Sequence, residues 1–195
     1  MRKADLSRKT NETDIKISFN IDGKGKSDIN TGIGFFDHML AGLAKHGLFD
    51  LECTIKGDLQ VDSHHSVEDA GIVLGKAINA AAGDKKGMKR YGYFVLPMDD
   101  ALVLCSIDFC GRPYLGYDVS FPQEKCGNFE VCLIKEFFMA VSYNAGMNIH
   151  FKMLAGDNSH HIAEAMFKAF AKALDMATSL DSRITDVLST KGKLV

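Results

Sequence analysis

Asp62-Ser63-His64-His65-Ser66-Val67-Glu68 returns later in the chain as Asn158-Ser159-His160-His161-Ile162-Ala163-Glu164, 96 residues on when counted from His64 to His160. In a chain of 195 residues that interval is close to half the length, and it marks a duplicated unit. Each copy opens on a residue suited to a helix N-cap, Asp62 or Asn158, and runs on into apolar residues at helical spacing. On such a helix His64 and Glu68 are i, i+4 neighbours, and His65 and Glu68 are i, i+3 neighbours. Imidazole and carboxylate on one face are donors that a divalent metal takes.

Adjacent histidines sharpen the inference. Residues i and i+1 point about 100° apart around a helix and rarely reach the same ion. The doubled His-His therefore predicts two metals, each taking one imidazole from each copy. A helix N-terminus opposes a cation by only about 0.3–1 kcal/mol. Chelation by several ligands is worth on the order of 10 kcal/mol and outweighs it.

Outward from the motifs, residues 13–21 alternate as a strand, turned by Asp22-Gly23 and Gly25. Phe35, Phe36, Met39, Leu40 and Leu43 follow helical spacing up to a stop at Gly47. A strand over 49–59 leads into the first His-His helix, which runs to Ala82. The polar stretch Gly83 to Lys89 is the expected seam, dividing the chain into half-units 1–84 and 85–195. Strands are predicted near 92–97, 101–109 and 115–120, a helix over 129–144, a strand over 147–154, and the second His-His helix over 159–178. The order helix, strand, His-His helix recurs. That predicts an α+β fold, an internally duplicated unit in which each half is a mostly antiparallel sheet with helices on one face.

Composition narrows the partners. A net charge of −2 and the absence of a basic stripe argue against nucleic acid. No apolar run is long enough to span a bilayer, and the start Met1-Arg2-Lys3-Ala4-Asp5 has no signal-peptide character. Five cysteines without a Cys-x-x-Cys spacing read as reduced thiols, so the expected location is cytoplasmic.

The repeats supply His64, His65, Glu68, His160, His161 and Glu164; adding His38 and His150 would give four donors per metal. A six-coordinate ion such as Mn²⁺ would then keep about two positions for substrate or water, which means catalysis rather than structure. Taken alone, His38 or His150 is more often a structural histidine than a ligand. Arg90, Arg112 and the tail Ser189-Thr190-Lys191 would suit a phosphate, or are ordinary turn and tail residues. Asp99-Asp100 is a hairpin turn by default, with a catalytic acid as the alternative.

Gly32-Ile33-Gly34-Phe35-Phe36-Asp37-His38-Met39-Leu40, the two His-His motifs, Pro97-Met98-Asp99, Asp108-Phe109-Cys110-Gly111-Arg112-Pro113, Glu136-Phe137-Phe138 and Ser189-Thr190-Lys191-Gly192 together resemble the imidazoleglycerol-phosphate dehydratase family of histidine biosynthesis. The resemblance spans essentially the whole chain. It implies a lyase that removes water from imidazole glycerol phosphate to give imidazole acetol phosphate with two Mn²⁺ ions per active site. It implies homo-oligomers, trimers assembled into 24-subunit shells with metals at subunit contacts. By resemblance the metal ligands are His38, His64, His65, Glu68, His150, His160, His161 and Glu164. Phosphate contacts fall to His46, Arg90, Arg112, Ser189 and Lys191, and Glu12 stands near the substrate. Cys110 stands where the family commonly has Ser, Leu188 where it commonly has Pro, and Gly42 where some members have Gln.

The chemistry asks for these groups. A metal on a ring nitrogen lowers the N–H pKa and favours imidazolate. Imidazolate can expel the neighbouring hydroxyl and leave a diazafulvene-like intermediate with an acidic C–H. The carboxylates expected at the chemistry are Glu12, Glu164 and Glu68, with Glu12 or Glu164 as base. Two other classes compete: a di-metal phosphoester hydrolase, which would ordinarily use bridging aspartates, and a metal-storing shell, which would leave Glu12 and Arg112 without a role.

Overall fold

The computed structural model describes residues 2–194. The first half runs β1 (Lys3–Lys9), β2 (Thr13–Asn20), β3 (Ser27–Asn30), α1 (Gly34–Gly47), β4 (Asp50–Gly57) and α2 (His64–Ala82). The second runs β5 (Tyr91–Met98), β6 (Ala101–Asp108), β7 (Tyr114–Asp118), a small hairpin of β8 (Lys125–Cys126) and β9 (Phe129–Glu130), α3 (Leu133–Ala145), β10 (Asn148–Ala155) and α4 (Ser159–Thr178). The two four-stranded sheets have orders β1-β2-β4-β3 and β5-β6-β10-β7. In each, the first two pairings are antiparallel and the last is parallel. The fold is α+β and its halves share one topology, as the recurring motif predicts.

Alternation builds the sheets. In β2, Ile15, Ile17 and Phe19 face the core, and in β6, Val103, Cys105 and Ile107 do the same. Each long helix lies on its own sheet: α2 covers β1 and β2, and α4 covers β5 and β6. The shorter helices lie over the other strands of their own sheets, α1 on β3 and β4 and α3 on β7 and β10, and each packs against the long helix of the other half, α1 on α4 and α3 on α2. At the α2–α3 crossing, Gly71 and Gly75 let the backbones close in. A Cβ there would stand 2.6 Å from the Phe137 carbonyl oxygen and 2.8 Å from that of Val141. Phe138 fills the centre of the second half, its ring 4.6, 4.9 and 5.2 Å from those of Phe151, Phe167 and Phe170.

One expectation changes, and two strands were not expected. The helix predicted over 129–144 starts at Leu133, because Phe129–Glu130 pair back onto Lys125–Cys126 around Gly127 (φ +60°). β1 is a strand without an apolar alternation of its own; Ala4 and Leu6 are half-buried, while Lys3, Asp5, Ser7 and Lys9 face water. β3 is four residues with one apolar side chain, Ile29, and forms through its parallel pairing with β4. No helix among the described residues is long and apolar enough to cross a membrane.

Candidate active site

The packing of α1 on α4 sets His38 against the second His-His motif. His38, His160 and Glu164 place ligand atoms within 4.8 Å of one another. Nε2 of His38 and Nε2 of His160 stand 3.8 and 3.6 Å from the same oxygen, Oε2 of Glu164. The other oxygen, Oε1, is held by Lys168 Nζ at 2.6 Å. Burial alone would raise the Glu164 carboxyl, but the Lys168 hydrogen bond and charge, with His38 and His160, hold it below the usual carboxylate range. Asn158 fixes the first turn of α4, its Oδ1 accepting from the backbone N–H of His160 at 2.9 Å and of His161 at 3.4 Å.

His161 points elsewhere, as its place one residue on requires. Its Nδ1 meets Asp100 Oδ1 at 2.5 Å and its Nε2 lies 3.6 Å from Asp99. Asp100 also accepts from the backbone N–H of Asp157 and Asn158 at 2.7 and 3.1 Å. Asp99-Asp100 is therefore the β5–β6 turn, with Asp99 at φ +48°, and its second carboxylate also orients a histidine. The Asp157 N–H, and after it His161, depress the Asp100 carboxyl; Asp100 in turn raises the His161 pKa.

The first copy repeats the scheme with different parts. Helix α2 begins at His64, and Asp62 Oδ1 accepts its N–H at 2.7 Å, while Ser63 makes no side-chain cap. His64 Nε2 lies 3.7 Å from Glu68 Oε2, the i, i+4 geometry. The i, i+3 pairing of His65 with Glu68 does not form. His65 turns instead to Asp58, Nδ1 to Oδ2 at 3.0 Å, with Glu12 Oε1 3.9 Å from its Nε2. The Asp58 hydrogen bond raises the His65 pKa.

In both copies a carboxylate holds Nδ1 of the second histidine. An ionised carboxylate only accepts, so Nδ1 carries the hydrogen and the Nε2 lone pair stays available to a metal. No short motif in the sequence marks Asp58. It follows β4 and meets His65 only because that strand end folds over the start of α2.

The other candidates form separate groups. His46, further along α1 from His38, lies near Lys168 and Glu164; burial first, then Lys168, lowers its pKa. His150 projects from the outer face of the second sheet, its ring 5.3 Å from that of Tyr114 and close over Gly116, where a Cβ would lie 2.4 Å from its Nδ1. Arg90 forks onto Asp108 at 2.7 and 3.1 Å, and its Nη1 donates to the Leu188 carbonyl at 2.8 Å. That bond draws the tail with Ser189 and Lys191 to Arg90, and the Lys191 N–H meets Ser189 Oγ at 3.2 Å. The carbonyl of Arg112 accepts from Asn148 Nδ2 at 2.6 Å, at the start of the strand that carries His150.

Among the described residues of one chain, no other three His, Cys, Asp or Glu side chains converge as His38, His160 and Glu164 do. Within one chain, His64, His65 and Glu68 of the first copy do not form a second such group among the described residues. Imidazole nitrogens and a carboxylate oxygen held ionised fit a divalent ion of intermediate hardness, and three donors leave positions open.

A family profile described as imidazoleglycerol-phosphate dehydratase matches residues 31–174, which include His38 and both His-His motifs. The chain belongs to the imidazoleglycerol-phosphate dehydratase family. The dehydratase of Lachnoclostridium phytofermentans is 61% identical over 191 residues, covering 98% of this chain and 97% of the relative. That of Acetivibrio thermocellus is 61% identical over 193 residues, covering 99% of each. Among solved structures, imidazoleglycerol-phosphate dehydratase from Staphylococcus aureus superposes with a TM-score of 0.84 at 38% identity, covering 92% of this chain and 99% of that one. The Pyrococcus furiosus structure gives 0.84 at 39%, covering 97% and 100%. As a member of the dehydratase family the chain is an enzyme, a carbon–oxygen hydro-lyase.

Proposed function

We propose that the chain removes water from imidazole glycerol phosphate to give imidazole acetol phosphate, a step of histidine biosynthesis in the cytoplasm. The observation that carries this reading is the convergence of His38, His160 and Glu164, in a chain similar along its whole length to dehydratases of that name. Two Mn²⁺ ions would be held by these three residues with His64, His65, Glu68, His150 and His161. When bound, the ions would supply positive charge at the substrate ring nitrogens and favour the imidazolate form.

The chain's own groups divide the remaining work. Lys168 occupies one oxygen of Glu164, and the other faces two imidazoles, so Glu164 is engaged as a ligand rather than free to take a proton. Glu68 is similarly turned to His64. Glu12 lies in the exposed β1–β2 turn, within 3.9 Å of His65 and, among the described residues, free of other partners that would hold its carboxylate, and would act as base. The ring N–H proton and the adjacent hydroxyl would leave as water to give a neutral diazafulvene-like intermediate; Glu12 would then take the proton from the next carbon, the ring nitrogen would regain one, and the resulting enol would become the ketone by a proton shift. Arg90 keeps donors beyond those used by Asp108 and Leu188, and with Arg112, His46, Ser189 and Lys191 would hold the phosphate. Binding energy at the phosphate then orients the reacting carbons.

Assembly belongs to the same reading. Ligands that stay apart in one chain can meet across a contact between copies. The outer face of the second sheet exposes Tyr91, Tyr93, Val95 and Tyr114 around His150, where the first sheet shows Lys16, Glu52 and Lys56. An apolar face of this kind is suited to burial against another subunit. The proposed particle is a homo-oligomer of 24 subunits built from trimers, with metals at the contacts, and it engages neither nucleic acid nor membrane.

The test is an assay of metal-stripped protein with imidazole glycerol phosphate before and after adding Mn²⁺. Imidazole acetol phosphate formed only with metal supports the reading. No product from fully metallated protein would remove it.

A further inference from the structure

Arg8, Thr13 and Asp69 form a polar cluster where β1, β2 and α2 meet, beneath the turn that carries Glu12. Thr13 is 3% exposed and Asp69 7%. Asp69 Oδ2 accepts from Thr13 Oγ1 at 2.5 Å and pairs with the Arg8 guanidinium. None of the three belongs to the metal or phosphate sets. Burying a carboxylate is unfavourable unless it is paired, and an apolar group of similar shape commonly serves packing as well.

The second half supplies an internal control. In β1–β2, Arg8 pairs with Ile15, the third residue of β2; in β5–β6, Leu96 pairs with Val103, the third residue of β6. By that register Leu96 and Ala101 take the places of Arg8 and Thr13. Ala165 takes the place of Asp69, at the same 96-residue interval that relates His160 to His64. The same sheet forms over the same helix with three apolar residues. Packing a hairpin on a His-His helix does not require the cluster.

What the cluster touches is the Glu12 turn. Thr10 Oγ1 accepts from the N–H of Glu12 at 3.1 Å and of Thr13 at 3.0 Å, and lies 3.3 Å from Thr13 Oγ1. The Glu12 carbonyl accepts the Asp58 N–H at 3.1 Å, and the Asp58 carboxylate holds His65. Asp69 lies one helical turn beyond His65, on the same stretch of α2. A continuous set of hydrogen bonds thus joins the helix that carries His65 to the backbone that carries Glu12. The second half steadies its turn differently, through Asp100 on the N–H groups of Asp157 and Asn158.

We infer that Asp69 is a positioning residue: through Thr13 and Thr10 it fixes the Glu12 turn relative to His65. The inference rests on the role proposed above for Glu12. Its test replaces the cluster by the residues of the second half, Arg8→Leu with Thr13→Ala and Asp69→Ala, and places the change in wild-type and Glu12→Gln backgrounds. The triple variant should fold and bind Mn²⁺ with wild-type stoichiometry, while amide hydrogen exchange over residues 10–13 of the metal-free protein speeds up by about tenfold or more. In the wild-type background kcat should fall at least about tenfold with KM little changed; in the Glu12→Gln background the further loss should stay under about twofold. Equal losses in both backgrounds, unchanged exchange, or failure of the triple variant to fold would overturn the inference. An inactive wild-type protein would instead remove the dehydratase reading, so the two failures are distinct.

Discussion

Lys168 holds one oxygen of Glu164 at 2.6 Å and leaves the other facing two histidines. The contact does two things. It stops the carboxylate from rotating, and its charge keeps the acid ionised against a burial that would raise its pKa. Lys168→Met should therefore raise the Glu164 pKa and weaken Mn²⁺ binding by roughly 10–100-fold. Titration with a competing chelator measures the loss. Unchanged affinity would mean that Lys168 serves packing alone.

Asp58 and Asp100 predict a pH signature. With metal removed, His65 and His161 should titrate above an ordinary histidine, since each carboxylate favours the imidazolium. The folded value is the higher one. The stability from each pair is thus complete below the unfolded-state pKa, about 6.5, and is lost as pH rises through the folded value. Ring-proton NMR should show Asp58→Asn lowering the midpoint of His65 alone, and Asp100→Asn lowering that of His161 alone.

Glu12→Gln should leave metal content intact and cut turnover at least about 10²-fold, the loss expected for a general base. Metal analysis beside steady-state kinetics checks both halves of the statement. Wild-type turnover would return the base to another group.

Removing the metals should shrink the particle. If ions bridge copies of the chain, exhaustive chelation lowers the sedimentation coefficient and Mn²⁺ restores it. A coefficient unmoved by complete removal would count against metal bridging between copies.

Gly71→Ala sets helix propensity against packing. An exposed helical Gly gains roughly 1 kcal/mol on becoming Ala. Here the new methyl would meet the Phe137 carbonyl oxygen at 2.6 Å, with backbone rather than a flexible side chain in its way. Overpacking of this kind costs about 1–3 kcal/mol, so denaturant melts should show a net loss of stability.

The sequence made the duplication legible because the motif carries its own geometry. His64–Glu68 and His160–Glu164 meet at i, i+4, and the second histidine of each pair diverges, as helical spacing dictates. Strands with apolar alternation were readable for the same local reason. β1 and β3 were not, since one shows a mostly charged face and the other is held by its neighbour. The partners of His65 and His161 were hidden too. Asp58 and Asp100 reach them from a strand end and a hairpin turn, and their contact depends on how those loops close over the helix starts. His38 has no mark beyond its helix; the crossing of α1 onto α4 delivers it to Glu164.

That crossing has a consequence for how the chain holds together. The helix layer of each half is packed against that of the other, α1 on α4 and α3 on α2, so neither half buries both faces of its helices alone. Severed in the turn between α2 and β5, the molecule would become two pieces with complementary apolar faces. Each would be a poor solitary folder and a strong ligand for the other, and mixing them should regenerate the native unit without the peptide link.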